Sequence, residues 1–538
     1  MTADLSPRGR AANLARMGSE PFDLVVVGGG IVGAAIARDA AMRGLKVALL
    51  ERNDFASGTS GKTSRLVHGG LRYLKNLRIG LVRQAVRERD VLLEQAPALV
   101  RPLAFTIPAY TDRGTGRAWL RFGLFVYDFL SRDKVLPRRQ WLSPQEAKER
   151  EPNLRDTSLV AGGLYHDALT NDARLVLAVV RAAADAGAVV SNYAEAIECV
   201  PEGGRIAGVR VRDRMSGNLL GIRASLVVNA TGVWLDWLRS SKPTAQTVRP
   251  TKGVHVFLPR ERVGNRGAVV VTAKRDGRVI FVLPWGRLTL IGTTDTDFRG
   301  DPDDVVPNAE DVGYLLESVN EAFPAAHIGS EDVVSAYAGL RPLIHARPGE
   351  KESDISREHE VLEDPDGLIS VAGGKLTTQR AMAEDVVDRV CKRLGRAVAC
   401  STVAAPLGPH DAGKDAFVAM GFNEETSIHL SPRCEPDALR RWLDEPRARE
   451  RITSDLPYVW AEVCEAVEAE MALTLPDVLV RRLGLFYEDR EQGRSVARSV
   501  AERMAGHLAW SEERIRSEVT EYEELVAHHR GYREAHGR

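Results

Sequence analysis

At 538 residues and 44% hydrophobic content, the chain is long enough for about two to four domains with sizeable cores, which excludes a tail or linker. Lysine plus arginine (73) almost cancels aspartate plus glutamate (74), so no overall field draws it to nucleic acid or an anionic bilayer, and any anion must be held by a local cluster. The five cysteines are scattered without a CxxC pair, which suits reduced thiols and predicts no metal site, and no run of roughly eighteen apolar residues offers a membrane-spanning helix.

Residues 1–20 contain Arg8, Arg10 and Arg16 but no continuous apolar run, and read as a disordered extension better than as a secretory signal. DLVVVGGGIVGAAIARDAAMRGLKVALLER (23–52) then parses as a strand, a glycine turn, a helix and a second strand. Gly28, Gly30 and Gly33 fill GxGxxG positions, where absent side chains permit a tight turn, let backbone N–H groups approach a pyrophosphate and allow close helix packing. Glu51 ends the second strand, where a carboxylate accepts hydrogen bonds from an adenosine ribose. A lone GxGxxG is a weak signal; the flanking strand and helix and the terminal acid together predict dinucleotide binding.

After Arg52, the stretch NDFASGTSGKTSRLVHGGLRYL is a small-residue loop with little periodicity, suited to backbone lying against a flat ligand, as in flavin sites rather than NAD sites. Its cofactor-binding candidates are Arg52, Thr59, Ser60, Ser64, His68, Gly69 and Gly70. Residues 117–139 combine Trp119, Phe122, Phe125, Tyr127 and Phe129 with interspersed cations, and read equally as an interfacial helix or as a buried amphipathic one. NDARLVLAVVRAAADAGAVV (171–190) predicts a capped helix, a stop at Gly187 and a strand. LVVNATG (226–232) is a buried strand ending in a small turn at Ala230, Thr231 and Gly232. From about 241 to 345, β-rich stretches alternate with turn residues and predict an antiparallel sheet roofing the ligand. LISVAGGKLTTQRAM (368–382) gives another strand, a turn at Gly373, Gly374, Lys375, Leu376 and Thr377, and a helix whose N-terminal dipole favours negative charge on a reduced flavin. The remainder, 396–538, opens Pro/Gly-rich and continues with charge-patterned helices.

Five stretches in this order carry a resemblance: VVVGGGIVGAAIARDAAMRGL, TSRLVHGGLRYL, LVVNATGVW, IFVLPWGRLTLIGTTDTDFRGDP, and SAYAGLRPL followed by ISREH and VAGGKLTTQR. The chain resembles the FAD-dependent, quinone-linked glycerol-3-phosphate dehydrogenases of the D-amino-acid-oxidase-like flavoprotein group. The resemblance implies an α/β fold: an FAD-binding Rossmann-like domain (21–100, 160–240 and 359–395), an antiparallel-β substrate domain (101–159 and 241–358) and a C-terminal helical domain (396–538). It also implies oxidation of sn-glycerol 3-phosphate to dihydroxyacetone phosphate, with FAD as hydride acceptor and a quinone as electron acceptor. A related oxidase using oxygen, a flavoenzyme acting on an amino acid or 2-hydroxy acid, and a non-catalytic flavin module are the alternatives.

A phosphate monoester calls for converging cations. Arg72, Arg341, Arg357 and Lys375 stand in the matched stretches and are carried over as substrate-binding candidates, with Tyr73 and Thr293 adding hydroxyls. For the base that takes the alcohol proton, His255 is favoured over His68, and Arg341 and Lys375 complete the catalytic set. Expected partners are glycerol 3-phosphate and a quinone, without nucleic acid; peripheral membrane-lipid contact and a homodimer stay open. The expected place is the cytoplasm, with the inner face of the plasma membrane as an option.

Overall fold

The computed structural model describes residues 3–74, 78–112, 117–131, 135–239, 247–344, 358–408 and 413–536, without the side chains of residues 72, 119 and 534–536. Two sheets organise it. The first runs in the order His359–Glu363, Ile369–Gly373, Leu219–Asn229, Phe22–Val27, Val47–Leu50, Val189–Ser191. Its inner strands are parallel, with Val25 opposite both Val227 and Ala48. Parallel strands covered on both faces read as continuous apolar runs, and LVVV and VALL do so here. Ile31–Met42 and Asp172–Asp185 pack on one face with Gln379–Arg393, burying Ala34, Ile36, Val176, Val180 and Val386 in a single cluster.

The second sheet is largely antiparallel and has ten strands, with Val248–Pro259 flanked by Ser335–Ile344 and Leu288–Gly292. Leu159–Thr170 pairs with Val100–Tyr110 in this sheet, and Leu66–Val67 pairs with Leu159–Thr170. Residues 66–67 and 160–170, grouped by sequence with the FAD-binding domain, thus pair within this second sheet.

The N-terminal segment corrects the expectation of disorder. Pro7–Ser19 is a helix started by Ser6, whose hydroxyl accepts from Gly9 N, with Pro7 in the first turn. Arg10 pairs with Asp213 at 2.5 Å and Met17 is fully buried. These partners lie far along the chain, so composition alone read the segment as solvated.

Arg117–Leu130 is a helix with one apolar face buried and another exposed. Leu120, Leu124 and Tyr127 are buried, while Phe122, Phe125 and Phe129 are 64%, 53% and 55% exposed along the other face. No helix among the described residues is long and apolar enough to cross a membrane. The C-terminal region is helical, including Trp460–Glu470, Arg494–Leu508 and Glu512–His529, and its core is continuous with the second sheet through Phe257, Tyr337, Tyr458 and Tyr487.

Candidate active site

The glycine turn is built without room for side chains. Gly28 has φ +111°, and a Cβ there would stand 2.5 Å from the Ala230 carbonyl oxygen; one on Gly33 would stand 1.9 Å from the Gly28 oxygen. Gly30 caps the helix Ile31–Met42 without a side-chain bond, and no acid lies in the first turn, so the positive end of the dipole is open to an anion. Ile31 N donates to Ser60 Oγ at 2.9 Å, which ties the following loop to this turn. Gly29 N donates to Glu51 Oε2 at 2.7 Å and Asn53 N to Oε1 at 2.8 Å. Burial lifts the Glu51 carboxyl above its ordinary range, against the pull of those two amides.

Around this turn lies an open cavity of about 410 Å³. Gly28, Gly30, Glu51, Arg52, Thr59 and Ser60 line it from the first half of the chain; Ala230, Thr231, Gly232, Gly373, Gly374, Lys375 and Leu376 line it from the second. Gly33 packs beneath the turn. Sequence reading missed Asn53, Ser57, Thr63, the strand residues Ala194 to Ile197, Arg212, Trp234 and Trp237. Arg52 stacks over Trp234 (4.6 Å) and Trp237 (5.2 Å) and pairs with Asp303. The two tryptophans directly follow the Ala230–Gly232 turn, a signal that position in the chain offered; the strand residues carry none.

HGGLRYL sits beside this cavity without lining it. Gly69 N donates to Tyr127 Oη at 2.9 Å, and a Cβ on Gly69 would stand 2.5 Å from that oxygen. Tyr127 in turn donates to Asp167 Oδ1 at 2.6 Å, which also receives Arg89 at 2.7 Å. Gly70 has φ +80°, and a Cβ there would stand 2.5 Å from the Tyr73 ring. The glycines thus make room for the Tyr127 and Tyr73 rings. Lys375 Nζ lies 3.9 Å above the Tyr73 ring, bringing two predicted residues together. His68 N donates to Thr377 Oγ1 at 3.2 Å. The Arg72 side chain and Arg357 lie outside the described residues.

In the roof sheet His255 pairs in register with Tyr337, and Arg341 follows Tyr337 by two pleats, so all three share a face. The His255 ring stacks on Tyr337 (4.8 Å, 11°) and its Nε2 is 2.8 Å from Ser64 Oγ. It is 2% exposed, and its Nδ1 has no hydrogen-bond partner among the described residues. Burial, and then the Arg341 and Arg65 charges, push its pKa well below the ordinary histidine value. Gly292, opposite on the next strand, leaves space for this ring, since a Cβ there would stand 2.0 Å from His255 Cδ2. Arg341 forks onto Asp295 Oδ1 (2.9 Å), Thr293 Oγ1 (2.9 Å) and the Thr294 carbonyl (3.1 Å). Arg341 and Lys375 are therefore anchored on different neighbours. Arg65, not singled out from sequence, is buried with its guanidinium over Trp285 (4.3 Å) and Tyr487 (4.8 Å).

Residues 23–389 match the family model described as FAD dependent oxidoreductase. The chain belongs to that family. Residues 436–515 of this FAD-dependent oxidoreductase match the C-terminal domain of alpha-glycerophosphate oxidase. It is 40% identical to a glycerol-3-phosphate dehydrogenase of Mycobacterium leprae (97% of this chain, 91% of the relative) and 34% identical to an aerobic glycerol-3-phosphate dehydrogenase of Staphylococcus aureus (94% and 95%). A glycerol-3-phosphate dehydrogenase of Bacillus halodurans solved with FAD superposes at TM-score 0.82, with 31% identity, covering 97% of this chain and 98% of that one.

FAD is the cofactor of this oxidoreductase, and the residues present fit it. The side-chain-free glycine turn and the open helix N-terminus suit a pyrophosphate, Glu51 suits a ribose, and the cavity continues to the Gly373–Leu376 turn.

Proposed function

We propose that this flavoenzyme oxidises sn-glycerol 3-phosphate to dihydroxyacetone phosphate and passes the electrons to a quinone. The observation that carries the reading is the shared face of the roof sheet, where a buried, neutral His255 and the guanidinium fork of Arg341 lie four residues of register apart. The near-full-length likeness to glycerol-3-phosphate dehydrogenases supplies the substrate.

FAD, when bound, supplies the two-electron acceptor for the hydride leaving the substrate carbon. The protein supplies the rest. Arg341, held flat by Thr293, Thr294 and Asp295, offers its charge and its remaining N–H to the phosphate oxygens, and Lys375 adds a second positive charge. His255 is kept neutral at physiological pH by its depressed pKa, and its unpartnered Nδ1 takes the hydroxyl proton as the C–O bond becomes a carbonyl. Ser64, on the other ring nitrogen, fixes the orientation of the imidazole. Anaerobic titration of the purified protein with glycerol 3-phosphate tests this: the flavin absorbance bleaches, and no bleaching sinks the reading.

The match of residues 436–515 to an alpha-glycerophosphate oxidase domain favours one second reading, oxygen as acceptor. Stoichiometric peroxide would replace the quinone; quinone reduction without peroxide supports the first reading. The exposed phenyl face of Arg117–Leu130 supports peripheral contact with the inner face of the plasma membrane, where a lipid-soluble acceptor is met.

A further inference from the structure

We infer that the C-terminal helical region holds the FAD-binding loop in place by gripping Asp54 with Arg481 and Arg482, which makes these two arginines positioning residues for the cofactor. Asp54 lies in the loop whose Glu51, Arg52, Asn53, Ala56 and Ser57 line the cavity, yet its own side chain is fully buried outside it. Asp54 Oδ2 accepts from Arg481 Nε at 2.6 Å and from Arg482 Nη1 at 2.6 Å; Oδ1 accepts from Arg482 Nη2 and from Asn192 Nδ2, both at 3.0 Å. A buried carboxylate is costly unless paired and hydrogen-bonded, so the loop conformation that carries Glu51 and Asn53 depends on both guanidiniums.

The grip closes into a ring. Arg481 also pairs with Asp477, Asp477 Oδ1 accepts from the Tyr193 hydroxyl at 2.7 Å, and Tyr193 N donates to the Asn53 carbonyl at 2.8 Å. Asn192 reaches the Met471 carbonyl at 2.8 Å and Arg482 the Glu470 carbonyl at 2.6 Å, so both sides of the ring end on the C-terminal region. On the cavity side the same loop is seated on the glycine turn: Phe55 occupies the space where a Gly29 Cβ would stand, and Ala56 N donates to the Gly29 carbonyl at 3.4 Å. Asp54 and Asp477 offset Arg481 and Arg482, and Glu470, which also pairs with Arg482, is offset by Arg174, so the assembly tolerates burial only while complete. The C-terminal region, which contributes no residue to the cavity lining among the described residues, thus acts on FAD through Asp54.

The test uses the full chain stripped of flavin and titrated with FAD, comparing wild type with Arg481→Met, Arg481→Lys, Asp54→Asn and the Asp54→Asn/Arg481→Met double variant. Three readouts are taken: the FAD dissociation constant, the thermal midpoint of the flavin-free protein, and hydrogen exchange of amides 51–58. Arg481→Met is expected to raise the dissociation constant at least about tenfold and to speed exchange in the loop, with Arg481→Lys in between. The double variant is expected to bind FAD no worse than the weaker single one, because both break one contact. A merely structural contact between domains predicts a lower midpoint with unchanged FAD affinity and unchanged loop exchange, and that result overturns the inference. Additive losses in the double variant overturn it too. Should Arg481→Met not fold, Arg481→Lys and Asp54→Asn decide by the same two readouts. Failure of wild type to bind FAD would instead strike at the cofactor assignment.

Discussion

Replacing Arg341 by lysine is the sharpest probe of the proposed site, because it keeps the charge and removes the fork. In the native protein the guanidinium uses Nη1 on Asp295 and Nη2 on Thr293 and Thr294, which sets its plane. A lysine ammonium at the end of a flexible stem keeps the pairing with Asp295 but forfeits the guanidinium N–H that the protein acceptors leave for phosphate. One charge-assisted hydrogen bond contributes about 1.5–3 kcal/mol, and about 1.4 kcal/mol is a factor of ten in rate, so kcat/KM for glycerol 3-phosphate falls roughly ten- to hundredfold. Arg341 is absent from the cavity lining, so FAD content stays at the wild-type level. Steady-state kinetics with a soluble quinone, normalised to bound flavin, give the answer. A folded, flavin-loaded Arg341→Lys enzyme with kcat/KM within about twofold of wild type refutes the assignment of Arg341 to phosphate. Arg341→Met is the poorer probe: it strips a buried Asp295 of a partner and costs about 3–5 kcal/mol in stability, which blurs any kinetic reading.

Gly33→Ala places a Cβ 1.9 Å from the Gly28 carbonyl oxygen, a backbone atom that cannot step aside, and the purified protein is expected to carry little flavin by its absorbance ratio. His255 carries a folded-state pKa below its unfolded value, so the unfolded chain binds more protons in acid; stability is full above about pH 6.5 and is lost as pH falls toward the folded value. His255→Gln is expected to flatten that acid-side loss in thermal scans while lowering turnover, and a variant as acid-sensitive as wild type contradicts the buried neutral imidazole. Changing Phe122, Phe125 and Phe129 together to serine removes the exposed apolar face and leaves Leu120, Leu124 and Tyr127 in the core; sedimentation with lipid vesicles drops while flavin content and soluble-quinone activity hold. Equal sedimentation by both proteins removes this helix from membrane contact.

The nucleotide-binding half was legible because its chemistry is local. Gly28, Gly30, Gly33, Glu51 and Ser60 lie within a few dozen residues of one another, and their turn and hydrogen bonds follow from a strand–turn–helix pattern that periodicity reveals. The rest of the same cavity comes from segments with no such grammar. Ala194 to Ile197 contribute from a strand whose side-chain pattern looks like any sheet edge, and Trp234 and Trp237 meet Arg52 only after the chain has returned beside the first strand.

Glycine is where sequence reasoning is most ambiguous, and the reason is physical. An absent side chain shows that something approaches closely without showing what. At Gly28 and Gly33 the approaching atoms are backbone of the cofactor turn, as the motif implies; at Gly69 and Gly70 they are the rings of Tyr127 and Tyr73, one of them supplied by a helix more than fifty positions away. The same ambiguity ran the other way at Gly292, which drew no attention and yet makes the space in which the His255 ring lies against its strand. Placing His255 and Arg341 together therefore required the register of Val248–Pro259 against Ser335–Ile344, a long-range pairing that fixes which side chains share a face. A slip of one residue in that register would turn Arg341 to the opposite face from His255, so the proposed chemistry depends on strand pairing as directly as on the residues themselves.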